Sequence, residues 1–305
     1  MAETSLLCQV RPRYLWRAGG RGLELGARPW IMAILNLTPD SFFPASRIEN
    51  EAALLTRAGA ALDAGADILD LGAESTRPGA APVDSKAEQA RLLPGLRRLR
   101  AEWPEALLSV DTRHGETART ALAEGADIIN DVSGLEEAGL ARVLSGSRCG
   151  VILMHRRGEF ASMHRLPKLA DPVATVRAGL KDLLARAQTE GIAAERIVLD
   201  PGFGFGKNRE ENFPLLARLA EFHELGRPLL AGLSRKSFLG LAAARPEPAA
   251  HAAPGLPPEA REAATLAATA IAALAGAHIH RVHDAGAVFQ ALQLAERVRE
   301  SSMYH

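Results

Sequence analysis

Eight short apolar runs, each of strand length, alternate along the chain with longer segments rich in Ala, Leu and Arg. The runs are WIMAILN (30–36), DILDLG (67–72), LLSVD (107–111), DIIND (127–131), GVILMH (150–155), RIVLD (196–200), PLLAGLS (228–234) and HIHRVH (278–283). The predicted helices between and after them are centred near 50–64, 86–102, 114–124, 136–146, 171–190, 209–224, 258–276 and 285–300. Strands that are apolar on both faces and separated by helices indicate a parallel sheet covered on both sides.

Eight strand–helix units in one chain predict an α/β fold, a (β/α)8 TIM barrel, as a single domain. We place the barrel at residues 30–303. Residues 1–29, which are irregular and rich in Gly and Arg, form a short N-terminal extension in which we expect a hairpin. The Pro- and Ala-rich segment 241–260 predicts a mobile loop.

The composition narrows the classes of function. The 305 residues carry a formal net charge of +0 and only 5% are aromatic, which argues against nucleic-acid or membrane binding and favours small-molecule substrates. The N-terminal segment lacks the apolar core of a signal peptide, and no run reaches transmembrane length. The two cysteines, Cys8 and Cys149, have no metal-type spacing, so we expect a reduced, cytoplasmic protein.

Each predicted strand ends in polar residues, and in this fold the carboxyl ends of the strands meet at one rim, where active sites form. A single Asp after a strand is more often a helix cap or a turn residue, but the same pattern at eight strands favours a shared site. The polar residues at these ends include Asn36, Asp111, Asn130, Asp131, His155, Asp200, Ser234, Lys236, Arg281 and His283.

Four of these residues suit a flat heterocycle with a guanine-like amino-oxo edge. The carboxylates of Asp111 and Asp200 accept from its N–H groups, the amide of Asn130 can donate and accept, and Lys236 donates to its carbonyl. The sequence therefore predicts a heterocycle at the floor of the site.

A second group, made of Asn36, Arg77, Arg281 and His283, suits a diphosphate with Mg²⁺. Mg²⁺ prefers oxygen ligands and keeps several waters, and the cationic side chains donate to phosphate. Arg281 and His283 occupy alternate positions on one face of the last strand, which capping does not explain.

The stretch DPGFGFGKN (200–208) resembles a phosphate loop but fits neither common pattern. A P-loop would place its first Gly at Pro201 and a hydroxyl residue at Asn208, and a dinucleotide fingerprint needs a different glycine spacing. Glycines let backbone approach a flat ligand closely. We interpret the stretch as a loop for a heterocycle, with Phe203 or Phe205 facing the ring.

Eight motifs, in order, resemble those of the dihydropteroate synthases, in the pterin-binding enzyme family. They are ILNLTPDSF, DLGAESTRPGA, SVDTR, INDVSG, VILMH, DPGFGFGK, GLSRKSFLG and RVHD, and together they span about residues 30–290. The resemblance implies a (β/α)8 barrel, usually a homodimer. It also implies a transferase that joins 6-hydroxymethyl-7,8-dihydropterin diphosphate to p-aminobenzoate in folate biosynthesis, releasing diphosphate.

The resemblance also implies three groups of site residues. The pterin group is Asp111, Asn130, Val132, Met154, Asp200, Phe205 and Lys236. The diphosphate group is Asn36, Arg281 and His283, with Asn36 as the ligand of Mg²⁺. The p-aminobenzoate and loop group is Asp40, Phe42, Thr76, Arg77, Pro78 and Ser237. The implied catalytic residues are Asn36, Asp111, Lys236, Arg281 and His283.

The implied mechanism is dissociative. Diphosphate leaves first, and the neutral aniline nitrogen then attacks a stabilised pterin methylene cation. Because that nitrogen loses its proton readily after bonding, we assign no Ser/His/Asp triad.

The first loop departs from the family pattern. It reads SFFPAS where family members commonly have SFSDGG, so Pro44 replaces an Asp that is thought to order the loop, although Asp40 remains. A catalytically weak pterin-binding paralogue is therefore one alternative. A corrinoid-linked pterin methyltransferase and a phosphate-binding sugar barrel are two others, but neither accounts for the whole set of motifs.

Overall fold

The computed structural model describes residues 10–37, 47–74, 83–137, 139–160, 162–163, 166–242 and 256–302. Near the N-terminus, β1 (Tyr14–Ala18) and β2 (Arg21–Leu25) form an antiparallel hairpin. Its two-residue turn, Gly19-Gly20, has positive φ at both positions, which is the geometry that suits the twist of a hairpin.

The other eight described strands form one parallel sheet. They are β3 (Trp30–Asn36), β4 (Ile68–Gly72), β5 (Leu107–Asp111), β6 (Ile128–Asp131), β7 (Gly150–Met154), β8 (Ile197–Asp200), β9 (Leu230–Ala231) and β10 (Ile279–Val282). The order across the sheet is β8-β7-β6-β5-β4-β3-β10-β9. An isolated parallel bridge between Leu199 and Leu229 joins the two edges and closes the barrel.

The helices surround this sheet. They are α1 (Arg47–Asp63), α2 (Ser85–Glu102), α3 (Gly115–Ala123), α4 (Leu140–Ser145), α5 (Pro172–Thr189), α6 (Asn212–Ala217), α7 (Ser237–Ala242), α8 (Glu262–Leu274) and α9 (Ala285–Ser302). Several begin at a capping residue. Asp171, for example, accepts from the amides of Val173 and Ala174, with Pro172 at the first helical position, a favourable combination for a helix start.

Alternation along the strands divides the side chains between two layers. One set of strand residues, such as Ile31, Leu69 and Leu108, packs outward with the helices in the main core. Their neighbours along the chain, such as Met32 and Ile68, point into the barrel. Residues paired across the sheet share a face, so the register identifies every inward position.

The hairpin closes the amino-terminal end of the barrel. Trp16, which is fully buried, packs with the inward residues at the lower ends of the strands. Its indole nitrogen donates to the carbonyl of Arg196 at 2.8 Å. Arg11, just before the hairpin, forms a buried ion pair with Glu296 of α9 at 2.7 Å. The extension is thus packed against the barrel at two places.

The predicted fold class is confirmed, while several predicted elements are shorter than expected, among them the helix near 136–146, which spans only Leu140–Ser145. The run 228–234 forms only a two-residue strand, because the chain turns at its carboxyl end. The helix expected at 209–224 stops at Ala217, because Arg218 leaves helical geometry (φ −111°, ψ 24°), and a 3-10 stretch, Leu219–Leu225, follows. Residues 243–255 of the predicted loop lie outside the described residues.

None of the helices in the described part of the chain combines the length and apolar character needed to span a bilayer.

Candidate active site

The register of the sheet brings several predicted residues to the carboxyl-terminal rim. Asn36 pairs with Gly72, Gly72 with Asp111, and Asp111 with Asn130, so all four positions face the inside of the barrel. Met154 pairs with Asp200 beyond them. Neighbouring inward positions at the same level lie within side-chain contact distance, which makes this row the floor of a pocket.

Arg281 links this row to a residue that our sequence analysis did not select. Its Nε donates to Asp70 Oδ2 at 2.7 Å, and its Nη2 donates to Asp111 Oδ2 at 2.6 Å. Asp70 lies on β4 one inward position below Gly72 and is fully buried. Asn130 also donates to Asp70 Oδ2, at 3.5 Å. One guanidinium therefore bridges two carboxylates inside the barrel.

Burial and the shared guanidinium act in opposite directions on Asp111. Burial raises the pKa of Asp111 to about 7; the charge of Arg281 opposes the shift, and that of Asp70 adds to it. Burial alone would lower the pKa of Arg281, but Asp70 and Asp111 raise it above the ordinary value. Arg281 therefore stays charged, while Asp111 can exchange a proton near neutral pH.

Asp200 and Lys236 lie on the other side of the same pocket. Burial raises the pKa of Asp200, and the Gly202 amide, which donates to Asp200 Oδ1 at 2.7 Å, opposes that shift. Burial lowers the pKa of Lys236 to about 8, against the attraction of Asp200. The charges of Asp200, Arg281 and Asp111 all influence the pKa of Lys236, which is consistent with one shared site.

Backbone geometry directs Lys236 towards this site. Arg235 has φ of +58°, a left-handed conformation that is uncommon outside glycine and often marks functional positions. Its amide donates to Thr265 Oγ1, and its carbonyl accepts from Arg261. These contacts with the segment around α8 hold the turn, and Lys236 Nζ lies 4.1 Å from the centre of the Phe205 ring.

An apolar cluster lines the pocket beside the polar row. Val132, Met154 and Phe205 were predicted as apolar neighbours of the ligand, and they pack together with Met163. Phe160 and Leu166 pack against this cluster, and the Arg156 guanidinium lies 4.3 Å from the Phe160 ring centre. The structure also separates the two phenylalanines of the glycine-rich loop. Phe203 is buried in the main core against Phe238, so Phe205 is the one that faces the pocket.

The lysine of the glycine-rich loop is not directed at a ligand. Lys207 is buried, and its Nζ donates to the carbonyls of His155, Pro201 and Gly202 at 2.7–2.8 Å. At Gly202 an added Cβ would lie 2.1 Å from the His155 carbonyl oxygen, so only glycine fits. Lys207 therefore fastens the loop after β8 to the end of β7 and has no hydrogen-bonding position left for a phosphate.

The remaining predicted residues lie around the rim. The ring Nδ1 of His283 is 2.9 Å from Ser234 Oγ, and Ser234 also accepts from the His283 amide at 3.3 Å. Asn36 ends β3 and is half-buried. Ser237 is exposed at the first position of α7. Their predicted ligand roles stay predictions.

Two loops of the predicted site lie outside the described residues. One holds Asp40, Phe42 and Pro44, and the other holds Thr76, Arg77 and Pro78.

The donor chemistry around Asn36 is compatible with magnesium. No group of three or more His, Cys, Asp or Glu residues suited to a metal occurs among the described residues. A carboxamide oxygen is nevertheless a ligand that Mg²⁺ accepts, with waters and phosphate oxygens completing its shell. Asn36 fits such an ion as a single protein ligand.

Comparison with known proteins places this chain in a family. A family model described as "Pterin binding enzyme" matches residues 32–283. The dihydropteroate synthase of Escherichia coli strain K12 is 40% identical over 279 residues, covering 92% of this chain and 94% of that protein. The chain belongs to the pterin-binding enzyme family. The resemblance that we drew from the eight motifs is thus confirmed.

Solved structures of pterin-binding enzymes have the same fold. The dihydropteroate synthase of Xanthomonas albilineans with 4-aminobenzoic acid superposes with a TM-score of 0.82 at 39% identity, covering 95% of this chain and 98% of that one. The Burkholderia cenocepacia dihydropteroate synthase complexed with 7,8-dihydropteroate gives 0.82 at 38%, with 96% and 100% coverage.

In this member of the pterin-binding family, sequence reasoning missed Asp70 and the role of Lys207. Asp70 sits inside an apolar strand rather than at its end, where we had looked for polar residues. The alternation Ile68, Asp70, Gly72 would have found it, because it places a carboxylate inside the barrel directly below the rim.

Proposed function

We propose that this pterin-binding enzyme is a dihydropteroate synthase, a transferase that joins 6-hydroxymethyl-7,8-dihydropterin diphosphate to p-aminobenzoate and releases diphosphate. One observation carries the proposal. A set of buried hydrogen-bond acceptors and Lys236 surround a single pocket, in a chain 40% identical to a dihydropteroate synthase.

The polar floor supplies the recognition of the pterin. Asp111 and Asp200 accept from the N–H groups of its amino-oxo edge, while Asn130 can donate or accept and Lys236 donates to the ring carbonyl. Burial strengthens these charge-assisted bonds, because little water competes for the same groups. A pterin bound here is held by its edge, and its methylene carbon is directed to the open side of the barrel.

The same groups favour departure of diphosphate. As the bond to the leaving oxygen breaks, positive charge develops on the pterin, and the two carboxylates beside the ring stabilise it. The cluster of Val132, Met154 and Phe205 excludes water from that side, which protects a cation from hydrolysis. The aniline nitrogen of p-aminobenzoate then forms the new C–N bond and loses its proton to solvent.

Three cationic or amide groups at the rim suit the diphosphate. Arg281 has Nη1 without a hydrogen bond to the described residues. His283 directly follows β10, and Asn36 ends the neighbouring strand β3. Mg²⁺ held at Asn36 would neutralise charge on the leaving group. Ser237 and the two loops containing Asp40, Phe42, Thr76, Arg77 and Pro78 are proposed to frame p-aminobenzoate.

We also propose that the enzyme works as a homodimer in the cytoplasm. The dimer rests on the family resemblance. The location rests on cysteine usage, because Cys149 is an unpaired thiol and unpaired cysteines are usual in reducing compartments.

A turnover assay tests the proposal. Purified protein with Mg²⁺ and both substrates should produce dihydropteroate and diphosphate in equal amounts. Asp111→Asn should reduce kcat/KM about 100-fold or more, because a carboxylate at the reacting ring is lost. Asp182→Asn, on the exposed face of α5, is the matched control and should be unchanged. Pterin binding without any dihydropteroate would instead favour the inactive paralogue, and methyl transfer from methyltetrahydrofolate would favour the methyltransferase.

A further inference from the structure

Asp70 is a fully buried carboxylate that lies one inward position below the rim of the barrel. Its side chain has no exposed surface, and it faces the barrel interior opposite Ser109. Oδ2 accepts from Arg281 Nε at 2.7 Å and from Asn130 at 3.5 Å, whereas Oδ1 has no partner among the described residues. An ionised carboxylate in such a place requires a cation, and Arg281 is the cation it contacts.

Asp70 and Asp111 contact the same guanidinium, but their side chains differ in exposure to solvent. Asp111 is at the rim, with 15% of its side chain exposed, whereas Asp70 is fully enclosed. A ligand that donates an N–H group to Asp111 Oδ2 competes with Arg281 Nη2 for that oxygen. It cannot reach Asp70 Oδ2 without displacing Arg281 itself. The Nε contact is therefore the permanent one, and the Nη2 contact is the exchangeable one.

We propose that Asp70 is a positioning residue: it anchors Arg281 through Nε and thereby leaves Asp111 available to accept from the bound pterin. Without this anchor, the Nε of Arg281 would be free to turn to Asp111 as well, and the existing Nη2 contact would become a two-point ion pair that a ligand displaces less readily. The inference rests on the proposed function for the identity of the ligand, but the coupling of the three side chains is a property of the protein alone.

The electrostatics of Asp111 agree with this arrangement. The groups facing it are Arg281 from β10, Asp70 from β4, Glu74 after that strand, Glu88 from α2 and Lys236 after β9. Arg281 lowers the pKa of Asp111, and Asp70, Glu88 and Glu74 raise it, after the larger effect of burial. Replacing Asp70 by a neutral residue removes one of the negative charges that raise the Asp111 pKa. Asp111 is then the only one of the two carboxylates that pairs with Arg281, so its pKa should fall.

The first experiment follows Asp111 in the ligand-free protein. Carbon-13 NMR of protein labelled at the aspartate carboxyl carbons gives its titration, with Asp111→Asn assigning the signal. In Asp70→Asn the midpoint should fall from about 7 by about one pH unit, since an arginine contact shifts an aspartate by that order. Asp67→Asn is the matched control, because Asp67 precedes the same strand but pairs with Arg28 at the opposite end of the barrel. Asp67→Asn should leave the titration midpoint of Asp111 unchanged.

The second experiment measures ligand binding by calorimetry between pH 5.5 and 9. Asp70→Asn should bind the dihydropterin diphosphate about tenfold more weakly at pH 8. The acid limb of the affinity profile, where affinity falls as Asp111 is protonated, should move to lower pH. A residue that only supports the fold would weaken binding equally at every pH. Asp70→Glu keeps the charge but displaces the guanidinium, so it should retain the acid limb and still bind the diphosphate more weakly.

The outcomes separate this inference from the proposed function. The role of Asp70 is refuted if the Asp111 titration midpoint stays in place or rises in Asp70→Asn. It is also refuted if the midpoint falls equally in Asp67→Asn. Both results would stand even if the wild type makes dihydropteroate. A wild type that makes no dihydropteroate refutes the function while the titration still decides the coupling. If Asp70→Asn does not fold, loss of the acid limb in Asp70→Glu refutes the inference.

Discussion

Replacing Lys207 by Met tests whether the glycine-rich loop is fastened from behind by a buried ammonium. Met keeps an aliphatic stem of similar length but removes the group that donates to the carbonyls of His155, Pro201 and Gly202. Burial lowers the Lys207 pKa well below its ordinary value, and the charge of Asp200 opposes that shift only in part. The three carbonyl contacts match the three N–H donors of the ammonium form.

The size of the effect follows from two opposing contributions. Each hydrogen bond to a charged group contributes about 1.5–3 kcal/mol, so three of them amount to about 4.5–9 kcal/mol. Removing the ammonium also removes its desolvation penalty, which is several kcal/mol. The expected net loss in the free energy of unfolding of Lys207→Met is about 2–4 kcal/mol.

The loosened loop should also bind pterin less well. Gly202 orients Asp200 through a 2.7 Å hydrogen bond, and Phe205 lies three residues further on. Misplacing them should weaken pterin binding about tenfold, which corresponds to about 1.4 kcal/mol.

Urea unfolding measures the stability, and calorimetric titration with 6-hydroxymethylpterin measures the affinity. Lys181→Met, on the exposed face of α5, is the matched control and should change neither. If Lys207→Met unfolds at the same urea concentration as this control, the three carbonyl contacts do not hold the loop and the reasoning is wrong.

Three further predictions concern charge. Between the pKa of Asp111, near 7, and that of Lys236, near 8, both groups are ionised in the free protein, so log kcat/KM should be bell-shaped with limbs near these values; a profile flat from pH 6 to 9 would exclude these groups. Asp200→Asn should weaken pterin binding by about 1.5–3 kcal/mol through loss of a charge-assisted bond, and unchanged calorimetric affinity would contradict its role. Arg11→Met should lower the free energy of unfolding by about 3–5 kcal/mol in urea denaturation, because it leaves the Glu296 carboxylate of the buried ion pair with less compensation; a loss below 1 kcal/mol would show that Arg299 alone suffices for Glu296.

Much of the barrel could be predicted from sequence, because its strands are buried on both faces and appear as continuous apolar runs. The predicted 107–111 strand matches β5, and most other boundaries differ by one or two residues. The seventh strand was the least accurate. Its apolar run continues through Leu233, but the turn that directs Lys236 begins before the run ends.

Site residues at the ends of strands could be predicted from the sequence. Contacts between side chains inside the barrel could not. Asn36, Asp111 and Asp200 could be found because each ends a strand, and Asn130 because it directly precedes the last residue of β6. The pairing of Asp70 with Arg281 could not, since the two residues are 211 positions apart and no local pattern records their contact.

Lys207 shows a different limit of sequence reasoning. Glycines beside a lysine are compatible with phosphate binding and with a lysine turned back onto its own loop. The positive φ of Gly202 and its approach to the His155 carbonyl decide between the two, and neither is visible in the sequence.

The junction between β8 and β9, where the barrel closes, has a consequence for local opening of the pocket. Among the described residues, β8 is joined to the segment just before β9 by the isolated Leu199–Leu229 bridge, in which the Leu199 amide donates to the Pro228 carbonyl at 2.9 Å. The neighbouring ladders are longer, so local opening costs least at this junction. Asp200 ends β8, and Lys236 follows β9 on the other side of this junction. A small separation of the two strands would therefore increase the distance between Asp200 and Lys236 while the other strands stay paired. The Leu199 amide should therefore exchange with deuterium sooner than the Leu69 amide within β4.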